Sequence, residues 1–198
     1  VRSVEYSLPW ELTRMQAAMP QTDFPAVDGI SLLSVGRFCE AKNFDNVPDI
    51  CRRMVVGGLD VKWYLIGYGG DEPLIRQKID EAGMQERVII LGKKANPTPY
   101  MRACDLYVQP SCYEGKAGTV REAQLLGKPV VITDYATSDS QLEDGVDGVI
   151  VPMDNASCAA EIAALLRDPA RMQQLSENCA KRDYTNGAEV EKIYALME

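Results

Sequence analysis

Six short apolar runs, rich in valine, isoleucine and leucine, recur along the chain and are separated by segments long enough for a helix. Such runs are typical of strands buried on both faces, and parallel neighbours of this kind are joined by crossover helices. The sequence therefore predicts an α/β fold with a doubly wound parallel sheet of about six strands. The predicted strands are Ile30–Val35, Val61–Ile66, Arg87–Leu91, Asp105–Gln109, Pro129–Thr133 and Gly148–Val151.

Helices are predicted in the gaps between strands and after the last one. Asp154 or Asn155 is a candidate N-cap, because a short oxygen side chain accepts free amides of a first turn. Asp168-Pro169 marks a stop and a restart, and the last stretch, Ala188–Met197, should place an apolar face against a neighbour. The other predicted helices are Phe44–Val56, Pro73–Ala82, Ala117–Leu126 and Cys158–Leu166.

Residues 1–29 differ from the rest of the chain. They contain no convincing strand and carry prolines at Pro9, Pro20 and Pro25. We expect this segment to be a linker or the tail of an upstream domain, and residues 30–198 to be one domain.

The composition excludes several kinds of chemistry. There is no histidine, which removes Ser-His-Asp triads, Cys-His pairs and imidazole metal ligands together. The six cysteines include no CxxC pair, which favours reduced thiols over a disulfide framework. A net charge of -8 counts against nucleic-acid binding through phosphate neutralisation, and no apolar run approaches the ~20 residues of a membrane span. Any anion must be bound locally, by cations and backbone groups.

The segments that follow the strands are the candidate site, because ligands bind beyond the carboxyl ends of parallel strands. Gly36, Arg37 and Lys42 follow the first strand. The glycine permits a tight turn, and the two cations can reach one diphosphate. Isolated loop cations are more often solvated surface charges, so both interpretations stay open.

A glycine-rich turn containing Gly67 and Gly69 follows the second strand. A dinucleotide fingerprint would follow the first strand and would have a third glycine where this chain has Glu72. A dehydrogenase is therefore disfavoured. The glycines let the chain turn close to a ligand or to its own sheet.

Two glutamates follow the fourth strand eight positions apart, Glu114 in the loop and Glu122 in the predicted helix. Between them, the amides of Ala117, Gly118 and Thr119 should be free and form the positive end of that helix, which attracts phosphate. A charged acceptor also hydrogen-bonds the hydroxyls of a sugar well. Taken alone, the spacing would equally suit two surface charges.

The flanking sequence makes this spacing specific. The stretch from Glu114-Gly115 to Glu122-Ala123, followed by LGKPVV, resembles the E-x7-E motif of GT-B glycosyltransferases, in particular family 4. Ser34-Val35-Gly36-Arg37 with Lys42-Asn43-Phe44 resembles the family's VGR…K segment, and Leu65–Gly69 resembles its nucleotide-side glycine turn. The resemblance runs in order over about residues 30–197. It implies the C-terminal half of a GT-B fold, a Rossmann-like donor-binding domain, with an N-terminal acceptor domain of the same protein as its partner.

The resemblance also implies roles for individual residues. Arg37 and Lys42 would bind the donor diphosphate and stabilise it as it leaves, while Glu114 would hold the transferred sugar and Glu122 the ribose. At Lys116 the chain departs from the family pattern, and we expect this side chain to face solvent. Further donor contacts are implied for Gly36, Gly67 and Gly69, for the backbone of Ala117, Gly118 and Thr119, and, around the base, for Lys94 and Asn96.

The implied function is transfer of a sugar, with retention, from a UDP- or GDP-sugar to an acceptor hydroxyl on a sugar or a lipid-linked glycan. Bacterial surface polysaccharide or glycoconjugate synthesis is the expected setting. One alternative is a nucleotide-sugar binding module without turnover in isolation. Another is a different GT-B enzyme, such as a nucleotide-sugar epimerase, although the lack of histidine counts against it.

No metal or other cofactor is expected, because two cations and a helix terminus would already neutralise the diphosphate. The expected location is cytoplasmic, with any contact at the inner membrane face made through the acceptor domain. No nucleic-acid partner is expected.

Overall fold

The computed structural model describes residues 29–184. Within this range six strands alternate with helices, and each predicted strand is confirmed to within one residue at either end. The strands are β1 (Ile30–Val35), β2 (Val61–Ile66), β3 (Val88–Gly92), β4 (Leu106–Gln109), β5 (Val130–Thr133) and β6 (Val149–Val151). The helices are α1 (Val47–Val56), α2 (Glu72–Ala82), α3 (Thr98–Ala103), α4 (Gly118–Leu125), α5 (Ser138–Gln141), α6 (Asn155–Leu166) and α7 (Pro169–Lys181), with a 3-10 turn at Glu40–Lys42.

The strands form one parallel sheet in the order β3-β2-β1-β4-β5-β6. Along the chain, β2 and β3 are added on one side of β1, and β4, β5 and β6 are then added on its other side. This order confirms the doubly wound sheet. It also creates a switch point between β1 and β4, where connections leave towards opposite sides and a crevice opens at the carboxyl ends of the strands.

Both faces of the sheet are buried. Successive residues of one strand enter different cores, as Leu32 and Leu33 do in β1 and Trp63 and Tyr64 do in β2. One core packs the sheet against α1, α2, α6 and α7, and the other packs it against α3 and α4. Burial on both faces explains why the strands are apolar without alternation.

Helix boundaries depart from the predictions in several places. The predicted start at Phe44 is wrong, since α1 begins at Val47 and Phe44 instead packs edge-on against Phe38, with ring centroids 5.8 Å apart. The helices α3 and α5 were not predicted, because six and four residues are too few to show a helical period. Asp154 is confirmed as the N-cap of α6, where it accepts a hydrogen bond from the Ser157 amide at 2.9 Å.

Other expectations have mixed outcomes. All six cysteines are free thiols, and four of them are buried. Lys116 is exposed, as expected. No helix within residues 29–184 is long and apolar enough to cross a membrane. The predicted helix Ala188–Met197 and nearly all of the predicted linker lie outside the described residues.

A buried hydroxyl connects the three central strands. Ser34 in β1 accepts a hydrogen bond from the Trp63 indole nitrogen of β2 at 2.9 Å and donates to the Val108 carbonyl of β4 at 2.5 Å. Ser34 and Trp63 are fully buried. Neither the indole N–H nor the hydroxyl has access to water, so each depends on the other for its hydrogen bond.

We expect Ser34→Ala to lower the free energy of unfolding by about 1–3 kcal/mol, because it leaves the Trp63 N–H buried without an acceptor. Urea unfolding followed by tryptophan fluorescence measures the change. Ser140→Ala, at an exposed position, is the control and should change stability by less than about 0.5 kcal/mol. Equal losses in the two variants would contradict the role assigned to Ser34.

Candidate functional site

Two loops meet at the switch point of the sheet. The loop after β1 contains Gly36 and Arg37, runs through the Glu40–Lys42 turn and ends at Asn43, which adopts a left-handed conformation (φ 57°) that asparagine tolerates. The loop after β4 lies against it, with the amides of Cys112 and Tyr113 donating to the Ala41 carbonyl at 3.0 and 3.3 Å. These bonds hold the two loops together where Lys42 of the first lies beside Glu114 of the second.

The glycine turn after β2 supports the first loop. A Cβ atom on Gly67 would lie 1.9 Å from the Gly36 carbonyl oxygen, and one on Gly69 would lie 2.1 Å from that of Phe38. The Phe38 amide donates to the Tyr68 carbonyl at 2.9 Å. These contacts show that both glycines let the turn approach the chain's own backbone closely, which was one of the two explanations offered for them. Contact of Gly67 or Gly69 with a ligand stays a prediction.

Lys42 and Glu114 form an ion pair across the two loops. The lysine side chain runs over Gly36, whose Cβ would lie 3.3 Å from Lys42 Cε. Glu114 is 8% exposed, so it is a buried carboxylate and not the surface charge of the alternative interpretation. The structure brings together three predicted site residues that are separated by up to 78 positions in the chain.

Glu114 has further partners that the sequence analysis did not single out. Its Oε1 atom also accepts hydrogen bonds from Ser111 at 2.7 Å and from the Gln109 amide at 3.5 Å. Thr137, after β5, donates to the Glu114 main-chain carbonyl. The only signal for Gln109 and Ser111 in the sequence is that polar residues end an otherwise apolar strand.

Glu122 lies on α4 and is half-buried. Burial raises the pKa of its carboxyl above the usual value for glutamate. Tyr107 is fully buried in β4, and its pKa is raised first by burial and also by the charges of Glu122 and Glu114. Both carboxylates therefore act on the same small region at the end of β4.

The N-terminus of α4 differs from the prediction at one residue. Ala117 is the N-cap, and its amide donates to Gln141 Oε1 of α5 at 2.8 Å, so the prediction that this amide is free is wrong. The Gln141 side chain also reaches the Ala117 carbonyl at 3.4 Å. Among residues 29–184, no acceptor takes the amides of Gly118 and Thr119. These two groups keep the positive end of the helix open.

The remaining predicted residues are spread along the same edge of the sheet. Arg37 is exposed and makes no ion pair with any residue between 29 and 184. Lys94 and Asn96 follow β3, two strands away from β1. The Lys94 ammonium lies 5.7 Å from the centre of the Tyr100 ring, and the Asn96 side chain accepts a hydrogen bond from the Thr98 amide at 3.2 Å.

Tyr135, just after β5, is a second group missed by sequence reasoning. It is 2% exposed, and its hydroxyl has no hydrogen-bond partner within the described part of the chain. Burial, together with the charge of Glu114, raises its pKa to about 12. A cavity of about 380 Å³ is lined by residues that include Arg121, Asp147 and Arg182, and none of the predicted donor-site residues lines it.

Comparison with known proteins connects this arrangement to an enzyme family. Residues 29–168 match the family described as glycosyl transferases group 1. The lipopolysaccharide core biosynthesis mannosyltransferase LpsB of Rhizobium meliloti is 30% identical over 133 residues, which are 64% of this chain and 38% of that protein. The chain spans about two fifths of the length of the curated relatives it matches.

Two solved structures share the fold. A mutant of S. aureus TarM, crystallised with fondaparinux, alpha-GlcNAc-glycerol and UDP, has a TM-score of 0.77 at 21% identity over 90% of this chain and 38% of that one. The C-terminal domain of a group 1 glycosyl transferase, LpcC, from Francisella tularensis has a TM-score of 0.68 at 21% identity over 76% of this chain and 82% of that one. They confirm the predicted Rossmann-like domain of the GT-B type.

We expect Glu122→Gln to raise the free energy of unfolding near pH 7. Burial disfavours the charged form of the Glu122 carboxyl. The contribution of this group to the free energy of unfolding is therefore complete below the pKa of the unfolded chain, and it is lost as the pH rises through the raised pKa of the folded state. The gain should therefore shrink as the pH falls towards about 4. Urea unfolding at several pH values measures it, with Glu161→Gln, at an exposed position on α6, as the control. A gain that is independent of pH would contradict burial of a charged Glu122.

Proposed function

This chain belongs to the glycosyl transferases of group 1, and we propose that it is the donor-binding domain of a retaining enzyme. The reaction would move a sugar from a UDP- or GDP-sugar to an acceptor hydroxyl. The observation that carries the proposal is the Lys42–Glu114 pair at the switch point, beside the open amides of α4. Cation, carboxylate and helix terminus are the three kinds of group that a sugar diphosphate requires.

The diphosphate would lie between the loop after β1 and the start of α4. Arg37 has no ion pair among the described residues, and the amides of Gly118 and Thr119 carry the partial positive charge of the helix. Lys42 would move its ammonium from Glu114 towards the phosphate, or share it between them. As the bond to the sugar breaks, negative charge grows on the diphosphate, and these fixed positive groups stabilise it.

The hydroxyl groups of the donor would be held by the two glutamates. A carboxylate accepts hydrogen bonds from hydroxyls more strongly than a neutral acceptor does. Glu122 would hold the ribose and Glu114 the transferred sugar, with the base towards Lys94 and Asn96. The UDP in the TarM structure, together with the shared fold, supports this assignment of the donor class.

The acceptor side of the reaction would come from another domain. The chain spans about two fifths of its curated relatives, and it covers 82% of a C-terminal domain of a group 1 enzyme. We therefore propose that the domain binds its donor without turnover when it is alone. The acceptor would be a sugar or a lipid-linked glycan, and the relative in lipopolysaccharide core synthesis supports bacterial surface polysaccharide as the setting. The six free thiols favour a reducing compartment, so the proposed location is cytoplasmic.

We expect calorimetry to detect binding of UDP or GDP by the chain, with ADP as the comparison. Glu122→Ala should weaken the better ligand roughly tenfold to a hundredfold, because it removes a charged acceptor for the ribose hydroxyls. Glu161→Ala, an exposed change of the same type, should leave the affinity unaltered. If no nucleotide binds at better than about millimolar affinity, the proposed donor site is wrong. If Glu122→Ala binds normally, only its ribose role is lost.

We expect Arg37→Ala combined with Lys42→Ala to weaken UDP binding by roughly a hundredfold and uridine binding by little, because the two cations contact only the phosphates. The pair Arg76→Ala and Lys78→Ala on the exposed face of α2 changes the charge equally and is the control. Since protein cations neutralise the diphosphate, EDTA should leave UDP affinity unchanged. Equal weakening of uridine, or loss of binding in EDTA, would contradict this account.

A further inference from the structure

A line of buried polar side chains ends β4, beneath the two loops of the site. Gln109 and Ser111 are both fully buried, as is Tyr107 two residues earlier. The proposed function assigns no ligand contact to any of them. Burying such groups costs free energy unless each is hydrogen-bonded, so their presence at the switch point requires an explanation.

The hydrogen bonds run in one direction. Tyr107 donates to the Gln109 side-chain oxygen at 2.9 Å, and the Gln109 amide nitrogen donates to the Ser111 hydroxyl at 2.9 Å. Because Ser111 accepts this bond, its own proton is free to be donated, and it points to Glu114 Oε1 at 2.7 Å. Every donor in the line faces towards the carboxylate, which can only accept when ionised.

The three side-chain donors of the described chain that contact the Glu114 carboxylate all reach the same oxygen. Oε1 accepts from Ser111, from the Gln109 amide at 3.5 Å and from the Lys42 ammonium. Oε2 accepts no hydrogen bond from any residue between 29 and 184. The carboxylate is thus held by one oxygen, and the other keeps its lone pairs for a partner from outside the described chain.

We infer that Ser111 is a positioning residue that presents Glu114 Oε2 to a hydroxyl of the donor sugar. This inference rests on the proposed function and extends it to a residue outside the recognised motif. Gln109 sets the direction of the Ser111 proton, and Ser111 prevents rotation of the carboxylate. When the Ser111 hydroxyl is removed, Lys42 is the one strong hydrogen-bond donor left to Oε1 among the described residues. The carboxylate is then free to rotate with the Lys42 ammonium.

The sugar therefore contributes to affinity through Glu114 only while Ser111 holds the Glu114 carboxylate in place. The quantity that reports this is the sugar increment, defined as the dissociation constant of the nucleoside diphosphate divided by that of the nucleotide sugar. A loss of fold stability would weaken both ligands alike and leave the increment unchanged. A loss of carboxylate orientation would lower the increment and leave binding of the diphosphate alone unchanged.

Calorimetry with UDP and UDP-glucose, and with GDP and GDP-mannose, tests the inference on the intact chain. Ser111→Ala should reduce the sugar increment roughly fivefold to tenfold while the affinity for the diphosphate alone stays within about twofold. Thr133→Val is the matched control, since it removes a buried hydroxyl that donates to the Ser111 main-chain carbonyl and not to the carboxylate. It should keep the full increment.

A double-mutant cycle separates positioning from general packing. If Ser111 acts through Glu114, Ser111→Ala should cause no further loss in a Glu114→Gln background. Thermal melts establish that each variant is folded. If Ser111→Ala is unfolded, Ser111→Cys, which nearly preserves the side-chain volume and replaces a strong donor by a weak one, should lower the increment in the same way.

The outcomes are distinct. An unchanged increment in the folded Ser111 variant, equal weakening of both ligands, or additive losses in the cycle would overturn the positioning role. So would a wild-type chain that binds UDP or GDP but binds the corresponding nucleotide sugar, UDP-glucose or GDP-mannose, no more tightly. A wild-type chain that binds none of the four ligands would overturn the proposed function, and the inference with it.

Discussion

The ion pair between Lys42 and Glu114 joins the loops after β1 and β4 at the place where the strand order reverses. Removing a carboxylate from water is costly unless cations and hydrogen-bond donors replace the water, and Glu114 obtains both from neighbouring elements. That requirement explains the close approach of the two loops, and the glycine turn after β2 packs against the first of them. At Gly67 and Gly69 any side chain would collide with the loop that leads to Lys42.

The two glutamates of the crevice are in contrasting environments. Glu114 is buried and has three donors on one oxygen, whereas burial of Glu122 raises its pKa without a described partner to offset the cost. The Tyr135 hydroxyl is likewise buried and without a partner among residues 29–184. Uncompensated polar groups lower stability, and a polar ligand bound in this crevice would supply hydrogen bonds that these two groups lack. The apolar cores on either face of the sheet contribute the stability that allows this.

Prediction from sequence succeeded where a long pattern was available. The apolar runs located all six strands, since a strand buried on both faces must be apolar throughout. The same reasoning missed α3 and α5, which are too short to show a period, and misplaced the start of α1, because Phe44 is buried by contact with Phe38 and not by a helix. For the site, the structure brings Gly36, Lys42 and Glu114 of the recognised motifs together, and their ligand roles stay predictions. Sequence reasoning did not single out Gln109, Ser111 or Gln141. Gln141 acts on Ala117, 24 positions away. The partners of Gln109 and Ser111 are only two to five positions away, but these contacts depend on the direction in which each buried side chain points.

The sequence alone determines the α/β class, the exclusion of histidine chemistry and the charged residues available at the ends of strands. Composition and local pattern govern these features. The tertiary structure decided which of those residues meet. Only the packing of β1 beside β4 brings Lys42 onto Glu114, 72 positions away. The choice of Oε1 over Oε2, and the capture of the Ala117 amide by Gln141, depend on side-chain directions that form only when distant segments pack together.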